Sequence, residues 1–321
     1  MKDVTLESLL EDASRIPAAP GVALELANTC RDPECTIDQL VSVLKCDPAL
    51  TVKILRMANS AYFASRREIA ELGEAVVRLG LRRVQMMAMA FCIMEATSAK
   101  SERDKGFDYG YFWGHALVTA TFADVMANMN HVALAMEALV AGLLQDIGVL
   151  MIQTCAPARY RSVLSSVTRG AEELHVAETR RLGFNHMQAG ELLLKQWHIP
   201  DPICTVAAYH HQPDAMPSPE GPVHELACIC HVGAAVAKFL NHDTGRQQLM
   251  AQAAGLAESH FGMTRERLQA VLGLVRMKLD ASAQMFDVRL DELMIRRLDA
   301  AIRDQIADAA METSDAPGSN Q

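Results

Sequence analysis

Asp146 is the residue whose setting first demands a chemical explanation. It lies in Gly142-Leu143-Leu144-Gln145-Asp146-Ile147-Gly148-Val149-Leu150, a run apolar on most faces of a helix, where an ionised carboxylate needs a partner or a cation. Histidines are the available partners. His115 shares a helical face with Val118, Phe122, Val125 and Met129 through spacings of three and four, which turns it toward a packing interface. His186 opens a helix ending at Trp197, and His210-His211 ends the helix after it. Singly, each has an ordinary reading: a satisfied core histidine for His115, helix-end capping for His186, His210 and His211. Together, His115, Asp146, His186, His210 and His211 can meet only inside a helical bundle. There the carboxylate would find either an imidazole partner or a metal. Without a metal, Asp146 and a histidine would form a buried charge-assisted pair that fixes how the helices meet.

Such a bundle is what the rest of the chain predicts. Its 321 residues suggest about two domains at ~150 residues each. The 48 Ala and 18 Met far outnumber the 9 Phe, 5 Tyr and 2 Trp, and a core of Ala, Leu and Met favours helices packed on helices over a sandwich or barrel. Helical periodicity runs between breakers and caps. Thr36 caps Ile37–Leu44, and Asp47-Pro48 supplies a capping carboxylate and then Pro at the first helical position of 49–59. Helices follow at 69–79 and 82–97, the latter apolar nearly all round. A polar, charged run from Ser98 to Lys105 marks a junction. The second group comprises 109–128, a single helix from Ala133 to Thr154, then 160–166, 172–181, 186–197 and 201–210. Gln212 to Pro222 holds four prolines and a glycine and reads as a loop; helices resume at 223–240, 247–258, 264–283 and 290–310. The expected fold is all-α with two helical subdomains: residues 1–105, a bundle at 106–240, C-terminal helices at 241–310, and a disordered tail at 311–321.

A net charge of −9 argues against nucleic acid and anionic lipid as partners. Lys45 to Arg83 is locally basic, with eight Lys or Arg against four acids, and it contains a helix–turn–helix-like stretch. Leu50, Ile54 and Leu55 need burial there, so that geometry belongs to the bundle rather than to a DNA reader. The apolar segment 131–152 is interrupted by Glu137, Gln145 and Asp146, too polar for a bilayer span. Met1 to Glu7 begins no secretory signal, and eight cysteines without framework spacing read as reduced thiols. The expected location is the cytoplasm.

Several motifs carry a family resemblance. His115, the Gly-Leu-Leu-Gln-Asp-Ile-Gly segment, Asn185-His186-Met187-Gln188-Ala189-Gly190 and His210-His211-Gln212-Pro213 together resemble the HD superfamily of metal-dependent phosphohydrolases. Upstream, Arg15-Ile16-Pro17-Ala18-Ala19-Pro20-Gly21, Asp47-Pro48-Ala49-Leu50, Ala58-Asn59-Ser60-Ala61-Tyr62-Phe63 and Ala75-Val76-Val77-Arg78-Leu79-Gly80 are similar to its HDOD (HD-related output domain) branch. The resemblance spans about Leu9 to Leu240.

It implies an HD-like bundle in the second subdomain. In catalytic relatives a His, a His-Asp pair and a later Asp hold one or two metals that acidify a bound water. The matching positions here are His115, Gln145-Asp146 and the neighbourhood of Ala234, so a His and the later Asp are missing. Val149 stands where the cyclic-dinucleotide phosphodiesterases carry Lys, and His211-Gln212-Pro213 replaces their Gly-Tyr-Pro continuation. The expectation is therefore a non-catalytic bacterial signal-transduction output module. It would act through a protein partner, be able to self-associate, and be linked to cyclic-dinucleotide regulation, with His115, Asp146, His186, His210 and His211 left either as a relic that needs no cofactor or as a site for at most a single divalent Fe, Mn, Ni or Zn ion. The competing expectation is a hydrolase with a rearranged ligand set.

Overall fold

Helix caps and apolar stripes build the described structure, with no strand among the described residues. The computed structural model describes residues 6, 21–63, 67–98, 107–130, 132–167 and 172–314. The junction expected at 98–105 lies almost wholly outside them, as do Arg15 to Pro20. The last helix runs to Ser314, so 311–314, expected within the tail, are helical, and 315–321 lie outside the described residues.

The first group contains α1 (Gly21–Arg31), α2 (Ile37–Lys45), α3 (Pro48–Ala58), α4 (Leu72–Leu79) and α5 (Leu81–Ser98). Thr36 forms a capping box with Gln39 ahead of α2, and the Asp47 carboxylate accepts from the amides of Ala49 and Leu50 ahead of α3. Each cap satisfies amides that a helix leaves orphaned. Asn59 pins the following loop: its amide donates to Ile69 O and its Oδ1 accepts from Ile69 N, both at 2.8 Å.

The second group is organised around α6 (Tyr109–Met129), buried on nearly every face. It packs against α7 (Ala135–Leu144), α13 (Gly221–Asn241) and α15 (Arg265–Phe286). Between these lie α8 (Ile147–Cys155), α9 (Pro157–Val167), α10 (Leu174–Leu182), α11 (His186–Gln196) and α12 (Asp201–Tyr209); α14 (Arg246–Phe261) and α16 (Glu292–Ser314) complete the chain. One continuous apolar core runs from Ala23 to Ala301. The stretches Glu137–Cys155 and Gly221–Asn241 are long and apolar enough to cross a membrane by composition, yet almost all of the first and two thirds of the second are buried within the protein.

The single helix expected from Ala133 to Thr154 is in fact two. The chain breaks at Gln145-Asp146, with Asp146 at φ −95° and ψ 10°. No Gly or Pro sits at the break, and apolar periodicity continues through it. The cause is tertiary. A Cβ on Gly148 would lie 1.9 Å from His186 O and 2.6 Å from Gly190 N, so α8 meets α11 backbone to backbone, a path that a straight extension of α7 does not follow.

Asp124 joins the two groups. It accepts from Tyr62 Oη, from Lys278 Nζ at 2.8 Å and from Asn128 Nδ2 at 3.0 Å, and Lys278 lies 4.6 Å from the Tyr62 ring centroid. Burial and the Asp124 charge hold the Tyr62 hydroxyl well above its ordinary pKa, so it remains a donor. Asp124→Ala leaves the buried hydroxyl without its acceptor and is expected to cost about 2–3 kcal/mol. Urea unfolding checks this; a change under about 0.5 kcal/mol would show the network to be incidental.

Candidate functional site

The break at Gln145-Asp146 turns the carboxylate off the helix and into a cluster of imidazoles. His210 Nε2 lies 3.2 Å and His186 Nε2 3.4 Å from Asp146 Oδ1, while His115 Nε2 lies 3.8 Å from Oδ2. His211 Nε2 faces His186 Nε2 at 3.2 Å. One ligand atom from each of Asp146, His186, His210 and His211 falls within 4.8 Å of the others. All five residues expected from the sequence thus meet, with His115 on the flank rather than among the tightest four.

Each side chain is placed by a local device. His186 is the first residue of α11, whose Asn185–Gln188 capping box fixes the start of the helix. His210 is the C-cap of α12, and its Nδ1 faces Ala207 O at 3.0 Å, which turns Nε2 toward Asp146. His115 occupies the inner face of α6, next to Tyr111, whose ring stacks on it with centroids 6.4 Å apart.

Two contributors escaped the sequence reading. Glu178, fully buried on α10, accepts from both the backbone N (2.8 Å) and Nδ1 (2.6 Å) of His186, and its other oxygen accepts from Tyr160 Oη. A carboxylate behind a histidine in this way sets the tautomer and aims Nε2 forward, as in metal sites. His175, also on α10, stacks on His211 with centroids 4.6 Å apart. The helical pattern of 172–181 gave no reason to single out either residue from its other polar neighbours.

The electrostatics are those of a site lacking positive charge. Burial would raise Asp146, but His210, then His186 and His115, hold it well below the usual carboxylate range. Burial would likewise lower His186, but Glu178 and Asp146 overcome it and raise its pKa. Burial, with His210 and His186 nearby, holds His211 well below the ordinary imidazole value, and burial lowers His115 despite Asp146. Asp146 and Glu178 therefore share a dry cluster in which a single positive charge is strongly favoured. Ligands of a tetrahedral ion at ~2.0–2.1 Å stand about 3.3–3.4 Å apart. The Asp146–His210, Asp146–His186 and His186–His211 separations match that spacing.

Gln145 departs from a catalytic ligand set in an informative way. Its Nε2 donates to Asp146 Oδ2 at 3.1 Å, while its buried Oε1 has no hydrogen-bond partner. The amide acts as an orienting donor to the carboxylate rather than as a ligand beside it. Val149 is buried, and Ala234 is a buried residue of α13, whose only acid is Glu225.

An all-helical bundle that draws a carboxylate and four histidines to one buried point is a bundle of the HD type. The chain belongs to the HDOD domain family, whose model matches residues 16–213. In fold it is similar to an HDOD domain protein of unknown function from Geobacter sulfurreducens, at 23% identity and TM-score 0.68, covering 89% of this chain and 98% of that one. A candidate phosphohydrolase from Shewanella amazonensis is similar at 21% identity and TM-score 0.63, covering 92% and 98%. An uncharacterized protein of Treponema pallidum is 23% identical over 243 residues; the match covers 75% of this chain but 46% of that protein, so the chain spans about half the length of that curated relative.

Proposed function

We propose that this protein is a signal-transduction output module whose second helical group is held by one divalent transition metal, and that it works through protein contacts rather than by hydrolysis. The observation that carries the metal is the pair of outer acceptors, Glu178 at His186 Nδ1 and Ala207 O at His210 Nδ1, which turn both Nε2 atoms toward the Asp146 carboxylate, where a cation could take the place of their protons. The observation that argues against hydrolysis is Gln145. A second metal would need a ligand at this position, and the amide is instead committed to Asp146. A bound ion would supply the positive charge that Asp146 and Glu178 favour. The chain's own residues orient the imidazoles and leave the cluster partly open at Asp146 and His115, where side-chain exposure is 14% and 19%, and at half-buried His211.

These partly open edges motivate the second reading, a hydrolase with a rearranged ligand set, because a phosphate could approach there. Metal analysis of protein purified without chelator separates the alternatives. One equivalent of Fe, Mn, Ni or Zn that is present in the wild type and missing from Asp146→Ala, with no turnover of nucleotides or cyclic dinucleotides, is the expected result. Absence of metal would return the cluster to a structural His–Asp pair, and metal-stimulated release of linear or dephosphorylated product would place the protein among the hydrolases. A protein partner recovered from cells, in an association weakened by chelation, would identify the output. A cyclic-dinucleotide link and self-association belong to the same reading and are tested by ligand titration and by sedimentation.

A further inference from the structure

The helix α13 carries a second set of donors that shares no residue with the Asp146 cluster. His224, Cys228 and His231 recur at spacings of four and three, which places them on one face. Opposite that face stands His260, in the last turn of α14, and at its outer end stands Asp214. His231 Nδ1 and His260 Nε2 face each other at 3.4 Å. His224 Nε2 lies 3.6 Å from Cys228 Sγ and 3.4 Å from Asp214 Oδ1.

Two imidazole nitrogens facing one another are only a weak contact in water, where either ring could turn to solvent. Burial together with His260 drives His231 down to about 4, and burial lowers His260 as well. Both rings are therefore neutral near pH 7 and can each offer a lone pair. Their separation is that of adjacent ligands on one tetrahedral ion. Burial pushes the Cys228 thiol up to about 12, so it stays protonated until a cation displaces the proton.

We propose that the seam between α13 and α14 is a second transition-metal site, where His231 and His260 anchor a zinc-class ion and Cys228 and His224 complete its coordination by side-chain rotation. The set would be three imidazoles and one thiolate, borderline ligands suited to Zn²⁺. Binding forms the metal–sulfur bond and releases the Cys228 proton to the buffer, with no redox change. Asp214, 83% exposed at the rim, adds negative charge beside the entrance. The consequence for the fold is specific. Among the described side chains of α14 only Ala253 and Ala257 are fully buried, with Leu249, Met250, Leu256 and Phe261 half-buried against the core, and an ion at His260 would add a further fastening to the bundle.

Cobalt(II) reports such a site by spectroscopy, because a thiolate ligand adds a near-ultraviolet charge-transfer band that the all-imidazole and carboxylate set at Asp146 cannot produce. The whole chain, stripped of metal, is titrated as wild type, as Asp146→Ala (with Asp146→Asn should the alanine variant not fold), as His231→Ala/His260→Ala and as Cys228→Ser, each checked for helicity first. The expected result is an equivalent of cobalt with a thiolate band in wild type and in the Asp146 variant, with the equivalent lost in His231→Ala/His260→Ala and the band lost in Cys228→Ser. Wild-type uptake without a thiolate band, or a thiolate band that survives the double histidine variant, would overturn the proposal. The equivalent that disappears in the Asp146 variant reports only on the other centre, so the two readings fail independently.

Discussion

Gly148→Ala is expected to destabilise the protein by about 3 kcal/mol or more and to abolish the metal uptake proposed at Asp146. The new methyl would sit 1.9 Å from His186 O and 2.6 Å from Gly190 N, which are backbone atoms that no side-chain rotation can clear. Overpacking a core typically costs about 1–3 kcal/mol when side chains can yield, and here α8 must move from α11 as a unit. The shift falls at the first turn of α11, so His186 leaves Asp146, and a displacement of even ~1 Å is enough to spoil a coordination set. Gly273→Ala on α15 is the matched control. Nothing lies within 4 Å of its Cβ position and its backbone has no positive φ, so that change should be neutral or stabilise by up to about 1 kcal/mol. Urea midpoints and metal stoichiometry on the two variants give the answer. Equal stability of both would mean that α8 and α11 do not depend on this contact.

The same contact explains what could and could not be read from the chain. Several helix starts were legible: Thr36, Asp47-Pro48 and His186 each mark a start that the structure has within a residue or two. The five candidate residues were legible because a carboxylate in an apolar run is costly and histidines at helix ends are easily seen. The break at Gln145-Asp146 was not, since neither Gly, Pro nor a change of periodicity marks it; it arises from a glycine two residues later meeting a backbone 38 residues away. Gly148 drew notice only as the end of the Gly-Leu-Leu-Gln-Asp-Ile-Gly segment, with nothing in the sequence to show the backbone it meets. Glu178 was hidden for a related reason. It sits among Glu172, Glu173, Arg180 and Arg181, where charge normally means a solvated face, and only the fold turns that one carboxylate inward. The Asp124 junction was equally silent, because its partners Tyr62 and Lys278 are 62 and 154 residues distant.

Glu178 carries the second large effect, and two variants separate its roles. Glu178→Ala removes the acceptor for three buried donors at once: the His186 amide, His186 Nδ1 and the Tyr160 hydroxyl. Burial and Glu178 hold Tyr160 well above its ordinary pKa, so it stays protonated and needs a partner. Stranding such groups in a site where Glu178 and His186 are 0% and 1% exposed is expected to cost about 3–5 kcal/mol. Glu178→Gln is nearly the same shape. Its carbonyl oxygen can still accept from His186, and its amide can donate to Tyr160 Oη, so the fold should survive with a loss of about 1–2 kcal/mol. What the glutamine lacks is charge. The carboxylate raises the basicity of the His186 ring and fixes which nitrogen faces Asp146, and removing such a partner behind a metal-binding imidazole typically weakens affinity about 10–100-fold. A folded Glu178→Gln protein that binds metal that much more weakly than wild type is the expected outcome, measured by competition with a chromophoric chelator. Unchanged affinity in that variant would reduce Glu178 to a packing role and would leave Asp146 as the only carboxylate that shapes the centre.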